Sequence, residues 1–395
     1  MRINLIVNSF PTISETFLFN LVTGLENRGV EVRVLALSSV NDKSFYKKKL
    51  SEWSGKITFL NWMVFLSVWK KFFVKKERIV IINILRQDFD IKNKIRLLRN
   101  WLFISFDSPD IIHFSFSGIA ANFSDVMKVE LDIPIFISCR GSAEKIRPLI
   151  DSSRASKLSY VLEMAKRIHC VSDDMKNTIS KYANIKDKVF INFPSIDIGQ
   201  FKFSRRILNP KDRIKIVSTG RLHFQKGYVY ALNAIRILLD RGFDIEYIIC
   251  GGGPEEGLLK YMIQELNLQD CVRLMGKVSS SEVAEHLIRA DLFLLPSIYE
   301  GIANAAIEAM ASGVPIISTT CGGMEELIDN GKNGFLIRRF SADEIAKAIE
   351  SLIQNPLETR KMSVEARQKI ERQFNLDLQI SNFILEYEKV ISNSL

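Results

Sequence analysis

The second half of the chain alternates short, almost unbroken apolar runs with longer segments whose apolar residues recur at helical spacing. The apolar runs cover 214–219, 245–250, 271–275, 291–295 and 314–318, and the helical segments cover 227–241, 254–266, 280–289, 304–312 and 341–354. Strands buried on both faces and joined by helices form a parallel sheet with helices on both sides. The pattern therefore predicts an α/β, doubly wound, Rossmann-like domain.

A shorter series of the same kind occupies the first half. It predicts strands at 2–8, 31–37, 110–114, 133–138 and 167–171, with a helix between Ser14 and Arg28. The stretch from Asn192 to Arg213 contains Pro and Lys and interrupts the alternation. We therefore expect two Rossmann-like domains facing each other across a cleft, at 1–200 and 201–375. A last helix at 376–395 is expected to pack back toward the N-terminal domain.

Composition narrows the class of protein further. The five cysteines among 395 residues are far apart and form no Cys-x-x-Cys pair, which argues against a disulfide framework or a zinc ribbon. No apolar run reaches about 18 residues, and the N-terminal residues lack the features of a signal peptide. We therefore expect a cytoplasmic protein, with no metal and no cofactor.

Two cations lie on a glycine-bounded loop directly after the strand at 214–219. The loop runs Gly220-Arg221-Leu222-His223-Phe224-Gln225-Lys226-Gly227. Ligands of doubly wound sheets bind beyond the carboxyl ends of the strands, and a helix N-terminus offers free N–H groups. Arg, Lys and such amides together suit a phosphate, although two surface charges flanking a loop would give the same pattern.

Two glutamates follow the strand at 291–295. Glu300 lies in the loop Pro296-Ser297-Ile298-Tyr299-Glu300-Gly301, and Glu308 lies near the start of the next helix. A carboxylate at this edge of the sheet is placed to accept hydrogen bonds from a vicinal diol such as a ribose. Glutamate in a first helical turn is also explained by the helix dipole. The loops containing Gly252 and Val278 are weaker candidates for contact with a ligand.

These residues together resemble a known family. The segments Gly-Arg-Leu-x-x-x-Lys-Gly at 220–227, Pro-Ser-x-x-Glu-Gly at 296–301 and Glu-Ala-Met-Ala at 308–311 are similar to those of the retaining glycosyltransferases of family 4. The resemblance continues through Gly322-Gly323-Met324-Glu325-Glu326 and Asn333-Gly334-Phe335-Leu336. It implies the two-domain GT-B fold and transfer of a hexose from a nucleotide sugar, without a metal.

The resemblance also implies a role for each matching residue of the donor domain. Arg221 and Lys226 would hold the diphosphate of a UDP- or GDP-linked sugar, and Glu308 would hold the ribose. Glu300, as a catalytic residue, and the backbone from Gly301 through Ala303 to Asn304 would hold the sugar. Gly252 and Val278 complete the implied donor site, with the loop at 276–279 touching the base. Charge that develops on the departing diphosphate would then be stabilised electrostatically.

The first half resembles a narrower group, the bacterial exopolysaccharide and colanic-acid transferases. The similarity lies in residues 10–17, in Asp110-Ile111-Ile112-His113-Phe114 and in Ser138-Cys139-Arg140-Gly141-Ser142. Arg140 stands where many members have His, and we expect it to be a second catalytic residue that binds phosphate, donor sugar or acceptor. Ser14, Glu15 and His113 are the candidates on the acceptor side, although a packed or hydrogen-bonded histidine at the end of a strand explains His113 better than a catalytic one.

Positive charge is concentrated in one segment. Residues 43–105 contain fifteen Lys and Arg against four acids, whereas the whole chain has a net charge of +9. Within this insertion, the apolar run from Ile57 to Trp69 leads into Lys70, Lys71, Lys75 and Lys76, which is typical of a helix lying on an anionic membrane. A core-facing helix with a solvated edge is the alternative. No nucleic-acid motif accompanies these residues.

These observations predict a hexosyltransferase that is peripheral on the inner face of the plasma membrane. The acceptor would be a glycan or a polyprenyl-linked intermediate of surface polysaccharide. A soluble acceptor, as in sucrose or storage-glucan synthesis, and a non-catalytic nucleotide-binding protein are the alternatives. Asp88-Phe89-Asp90 matches the metal-binding Asp-x-Asp of another glycosyltransferase fold, but lies far from the donor loops and is interpreted as incidental.

Overall fold

The computed structural model describes residues 1–12, 15–39, 55–60, 75–129, 133–203 and 207–392. The chain forms two compact units. The first contains Met1–Asn192 and Ile380–Leu395, and the second contains Phe193–Gln379. Each unit has one parallel sheet packed with helices, as the alternation of apolar runs predicts. Within the described ranges, no helix is both long and apolar enough to cross a bilayer.

The first unit is built on a seven-stranded sheet with the order β3-β2-β1-β4-β5-β6-β7. Its strands are β1 Arg2–Ser9, β2 Glu31–Ser38, β3 Lys56–Phe59, β4 Ile111–Phe114, β5 Ile135–Cys139, β6 Arg167–Cys170 and β7 Val189–Ile191. Its helices are α1 Thr16–Glu26, α2 Lys75–Arg86, α3 Ile91–Ile104, α4 Ser117–Asn122, α5 Ser124–Met127, α6 Ser142–Lys145, α7 Arg147–Ile150, α8 Ser152–Met164 and α9 Asp173–Ile179.

The second unit has a six-stranded sheet with the order β10-β9-β8-β11-β12-β13. Its strands are β8 Ile214–Thr219, β9 Ile245–Cys250, β10 Val272–Gly276, β11 Leu292–Leu295, β12 Ile316–Thr319 and β13 Phe335–Ile337. The helices from here on are α10 Tyr228–Asp240, α11 Glu256–Glu265, α12 Ser280–Arg289, α13 Asn304–Ala311, α14 Met324–Leu327, α15 Ala342–Gln354, α16 Pro356–Gln373 and α17 Leu376–Ser392.

Neighbouring residues of the second sheet pack into different apolar clusters. Ile216 and Leu294 belong to the cluster that contains α10 and α15, whereas Val217 and Phe293 belong to the cluster that contains α13. Because side chains of a strand alternate between faces, the sheet has an apolar core on each side. This explains why its strands read as unbroken apolar runs in the sequence.

The expected membrane helix starting at Ile57 is wrong at its first residues. Lys56–Phe59 is strand β3, and it pairs in parallel with β2 through contacts such as Val34 with Ile57. The β-branched residues Ile57 and Thr58 favour this extended edge position. Residues 61–74, including Lys70 and Lys71, lie outside the described ranges, and the chain is helical again from Lys75.

Candidate functional site

The loops after β8, β11 and β12 lie against one another at the carboxyl edge of the second sheet. Gly227 has a positive φ of 65°, and a Cβ there would lie 2.1 Å from the carbonyl oxygen of Pro296. Ile298 N donates to Gln225 O over 2.7 Å and joins the same two loops. A Cβ at Gly322, whose φ is 58°, would lie 1.7 Å from Glu300 O. Both glycines are therefore required for these loops to meet.

This convergence brings Lys226 and Glu300 into contact. Lys226 Nζ lies 2.6 Å from Glu300 Oε1, and the two side chains are only 20% and 15% exposed. The buried Ser297 donates its hydroxyl proton to the same carboxylate oxygen over 2.7 Å. The pair is therefore a half-buried, charge-assisted hydrogen bond, which is stronger than an ion pair on the open surface.

Glu308 is half-buried on α13. Among the residues that the structure describes, its carboxylate has neither a hydrogen-bond nor an ion-pair partner. Burial raises the pKa of Glu308 to about 7. A half-buried carboxylate without a donor incurs a desolvation cost, which a ligand that donates hydrogen bonds would offset. The site therefore has an open acceptor where the sequence predicts contact with a ribose.

Helix α13 begins with uncapped backbone amides. Ala303 is its N-cap residue and makes no side-chain hydrogen bond to the helix, and Asn304 is its first residue. Gly301 precedes it, is buried, and accepts a 2.6 Å hydrogen bond from Gly323 N through its carbonyl oxygen. The first N–H groups of an uncapped helix and its dipole favour an anion at this end.

Arg221 is the second cation of this edge. Its side chain is exposed, directly after β8, and it has no ion pair with any residue of the described ranges. The neighbouring Leu222 N donates to Gly252 O over 3.1 Å, which attaches this loop to the one after β9. The stem of Lys277 in turn covers Gly252, because a Cβ at Gly252 would lie 3.0 Å from Lys277 Cγ.

Val278 lies in the loop after β10, where the chain enters α12. Its neighbour Ser279 forms a reciprocal capping box with Glu282 at the start of that helix. Val278 is half-buried. The predicted contacts of Gly252 and Val278 with a donor remain predictions.

Arg140 follows β5 in the first unit. Its guanidinium lies 4.5 Å from the ring centroid of Phe17, and its Nε donates to Ser115 O over 3.2 Å. Burial lowers the pKa of Arg140 to about 10, against the opposing effect of charges that include Glu15. Arg140 therefore stays cationic at neutral pH and could hold an anion. Glu15 is half-buried beside the start of α1, and Ser14 lies outside the described residues.

Glu144, on helix α6 just after Arg140, is a residue that the sequence analysis does not predict. Its carboxylate is fully buried and accepts hydrogen bonds from Ser117 Oγ and from Gly141 N. Burial raises the pKa of Glu144. The carboxylate fixes the turn that follows Arg140 at the start of α6. A Glu three residues after a helix-start glycine is the signal that could have predicted this cap.

His113 is fully buried in a chain of hydrogen bonds. Its Nδ1 lies 2.7 Å from Tyr387 Oη, and its Nε2 lies 2.8 Å from Ser138 Oγ. Ser138 Oγ continues over 2.9 Å to His169 Nδ1, and His169 Nε2 donates to Asn192 O over 2.7 Å. The carbonyl oxygen of Asn192 can only accept a hydrogen bond. It therefore fixes the direction of each hydrogen bond in this series, and both histidines are neutral. His113 therefore links β4 to α17, and its contact with an acceptor stays a prediction.

No group of three or more His, Cys, Asp or Glu within the described ranges is placed to hold a metal ion. Asp90 of the Asp-x-Asp match accepts a hydrogen bond from Asn93 N over 2.7 Å and is the N-cap of α3. The helix cap gives this aspartate a structural role. All five cysteines are buried and unbridged.

Two units, each with a parallel sheet covered by helices, are the architecture of the GT-B fold, and the second unit has cations and carboxylates beyond the ends of its strands. Residues 14–200 match Glycosyltransferase Family 4, and residues 200–369 match Glycosyl transferases group 1. The chain therefore has a Glycosyltransferase Family 4 domain followed by a Glycosyl transferases group 1 domain, as its motifs predict.

Relatives agree with this assignment, and solved structures share the fold. The chain is 28% identical over 405 residues to WcaL of Escherichia coli K12, named as a colanic acid biosynthesis glycosyltransferase, with 95% of this chain and 96% of WcaL covered. Its fold is similar to HepE of Anabaena in complex with UDP-glucose, with a TM-score of 0.73, 16% identity and full coverage of both chains. It is also similar to sucrose-phosphate synthase of Thermosynechococcus elongatus, with a TM-score of 0.76, 15% identity and 99% coverage of both.

Proposed function

We propose that this glycosyltransferase moves one hexose from a UDP- or GDP-linked sugar to a glycan or lipid-linked acceptor of bacterial surface polysaccharide, with retention at the anomeric carbon. Two observations carry the proposal: the Lys226–Glu300 contact between the loops after β8 and β11, and the unpartnered Glu308 on α13. A cation for phosphate, a carboxylate for sugar hydroxyls and a carboxylate for ribose are the groups that a nucleotide sugar requires. The relative named for colanic acid synthesis supports the acceptor class.

The departing group in this reaction is a nucleoside diphosphate. Negative charge grows on its terminal phosphate as the bond to the anomeric carbon breaks. Arg221, Lys226 and the first amides of α13 are the groups that would stabilise this charge in place of a metal ion. Glu300 would meanwhile accept hydrogen bonds from the hydroxyls of the sugar. The similarity to a structure bound to UDP-glucose supports this type of donor.

A lipid-linked acceptor would be met at the inner face of the plasma membrane, and the helical hairpin α2–α3 supports such a contact. Its exposed apolar residues, here called the hairpin face, are Ile79, Leu85, Phe89, Ile91 and Ile95. Exposed cations accompany them, namely Arg78, Arg86, Lys92 and Arg96. Apolar side chains mixed with cations are what an interfacial helix uses on an anionic bilayer.

The test is incubation of the purified chain with UDP- and GDP-sugars, followed by mass spectrometry of the products. We expect hexose transfer to a polyprenyl-linked acceptor, with the anomeric configuration retained when the product is examined by NMR. Transfer only to a soluble sugar phosphate would favour the soluble-acceptor alternative. Binding of nucleotide without donor hydrolysis or transfer would indicate a non-catalytic protein.

Arg221→Ala provides a test of the donor site that is free of stability effects. The side chain is exposed and unpaired among the described residues, so the melting temperature should not change. Affinity for UDP or GDP should fall by about tenfold, because a hydrogen bond to a charged group is lost. Lys211→Ala, an exposed cation of the same unit, is the matched control. Equal affinities for the two variants would contradict the site.

A further inference from the structure

Two buried tyrosines of the second unit differ in whether the hydroxyl group has a hydrogen-bond partner. Tyr247 is fully buried, and its hydroxyl lies 2.8 Å from Ser218 Oγ. Tyr228 is 3% exposed, and its hydroxyl oxygen is buried without a hydrogen-bond partner in the part of the chain that the structure describes. Both rings belong to the same apolar cluster. A phenylalanine at 228 would fill the same volume without burying an unsatisfied polar atom.

The hydroxyl of Tyr228 lies at the base of the loop that carries the two cations. Tyr228 is the first residue of α10, directly after Gly227. A Cβ built on Gly220 would lie 3.1 Å from Tyr228 Oη and 3.1 Å from Lys226 Cε. The hydroxyl and the stem of Lys226 therefore lie side by side against Gly220. The hydroxyl of Thr219, the residue before Gly220, is also buried and unpartnered among the described residues.

The Tyr228 hydroxyl stays protonated and can therefore donate a hydrogen bond. Burial raises the pKa of Tyr228 well above its ordinary value, and the nearby Tyr247, Glu300 and Cys250 raise it further. The group therefore keeps its proton at every pH at which the protein works. It can offer an O–H to an anion without adding charge to the site.

We infer that the Tyr228 hydroxyl donates a hydrogen bond to the terminal phosphate of the bound nucleoside diphosphate. The hydroxyl is uncovered when Lys226 turns toward that phosphate. This inference rests on the proposed function. The terminal phosphate is chosen because Lys226 contacts Glu300, which is assigned to the sugar, and the phosphate next to the sugar is the terminal one. The hydroxyl, which is unsatisfied in the described structure, is thus satisfied in the complex.

The test compares Tyr228→Phe with Tyr247→Phe by calorimetry with UDP, GDP, UMP and GMP. Tyr228→Phe should weaken binding of the diphosphates by about tenfold and leave the monophosphates unchanged. Its melting temperature should equal or exceed that of the parent when no nucleotide is added, since the substitution removes no hydrogen bond between described residues. Tyr247→Phe should lower the melting temperature, because Ser218 loses a partner, and leave all four affinities unchanged.

The outcomes separate this inference from the proposed function. A parent protein that binds no nucleotide would overturn the proposed function. Nucleotide binding that is equal in the parent and in Tyr228→Phe would overturn the inference alone. A loss that is the same for monophosphates and diphosphates would also overturn it. So would a melting temperature lowered as far in Tyr228→Phe as in Tyr247→Phe, because that result would reveal a structural partner.

Discussion

Lys226 Nζ and Glu300 Oε1 lie 2.6 Å apart although 74 residues separate them in the sequence. The resemblance to family 4 gives these residues separate tasks, one on the diphosphate and one on the sugar. In the structure, the carboxylate orients the ammonium group and also offsets part of its charge. A lysine has three N–H donors, so Lys226 can keep this contact and still reach a phosphate.

Glu300→Gln should therefore separate nucleotide binding from turnover. Loss of the negative charge leaves Lys226 more attractive to phosphate, so UDP or GDP affinity should hold or increase. The rate of hexose transfer should fall by about a hundredfold or more, because the ionised acceptor for the sugar hydroxyls is lost. Calorimetry and initial rates measure the two effects.

Lys226→Met should lower nucleotide affinity and transfer rate together. Glu256→Gln, which removes an exposed carboxylate paired with Lys260 over 2.7 Å, is the control and should change neither. Weaker nucleotide binding in Glu300→Gln would contradict the assignment of separate roles.

Glu308 should make donor binding depend on pH near neutrality. Burial raises its pKa to about 7, and only the ionised carboxylate accepts both hydrogen bonds of a ribose. Nucleotide affinity should therefore rise by about tenfold between pH 6 and pH 8, as the proton leaves. Glu308→Gln should bind more weakly at pH 8 and lose this dependence. A parent affinity that is flat over this range would exclude Glu308 as the acceptor.

Transfer should continue in excess EDTA, because Arg221, Lys226 and the amides of α13 are proposed to replace a metal. The measurement is the initial rate with and without chelator, followed by addition of Mg²⁺ or Mn²⁺. Asp88→Asn is the control variant and should match the parent under both conditions. A rate that collapses with EDTA and returns with metal would contradict metal-independent transfer.

The buried histidines should make the first unit sensitive to acid. Burial and the charge of Arg140 hold the pKa values of His113 and His169 well below their ordinary range. Below about pH 6.5 the unfolded chain gains protons that the folded chain does not, so the free energy of unfolding falls. The loss is about 1.4 kcal/mol per pH unit for each histidine.

Glu144 and Glu308 have raised pKa values, so their contribution to the free energy of unfolding changes with pH in the opposite direction. The informative quantity is therefore the difference in pH dependence between a histidine variant and the parent. Denaturant melts from pH 7 to pH 5 should show a smaller pH dependence in His113→Gln than in the parent. His223→Gln, in the second unit, should retain the full dependence. Parallel curves for parent and His113→Gln would show that the buried histidine does not resist protonation.

Membrane binding should depend on the hairpin face. Each apolar side chain buried in the interface contributes about 1.5–3 kcal/mol, and each nearby cation about 1 kcal/mol. Replacing Leu85, Phe89 and Ile91 by Ser should abolish sedimentation with anionic vesicles, whereas donor hydrolysis should persist. Replacing Leu258 and Leu357, exposed apolar residues of the second unit, should leave sedimentation unchanged.

The sequence also predicts a role for Lys70, Lys71, Lys75 and Lys76, which the corresponding Gln variant would test. Sedimentation should weaken in that variant and in high salt, because screening reduces attraction to anionic lipid. A parent protein that never sediments with anionic vesicles would exclude peripheral binding and favour a soluble acceptor.

The sequence by itself determined the order of elements in the second unit. Strand 245–250 and helix 280–289 have the bounds that the periodicity predicts, because strands buried on both faces and a capped amphipathic helix have local signals. The motifs that contain Arg221, Lys226, Glu300 and Glu308 identified the family because each of them is also a local pattern of neighbouring residues.

Only the tertiary structure decided which side chains meet. Lys226 contacts Glu300, the Tyr228 hydroxyl and the stem of Lys226 both lie against Gly220, and Glu308 has no partner in the described part of the chain. None of these follows from spacing, since each depends on how loops from different strands approach at glycines. The strand at Ile57 likewise forms because β2 offers an edge, and its apolar residues alone suit a helix equally well. Local periodicity is encoded in neighbouring residues, whereas contacts between distant segments exist only once the sheet has assembled.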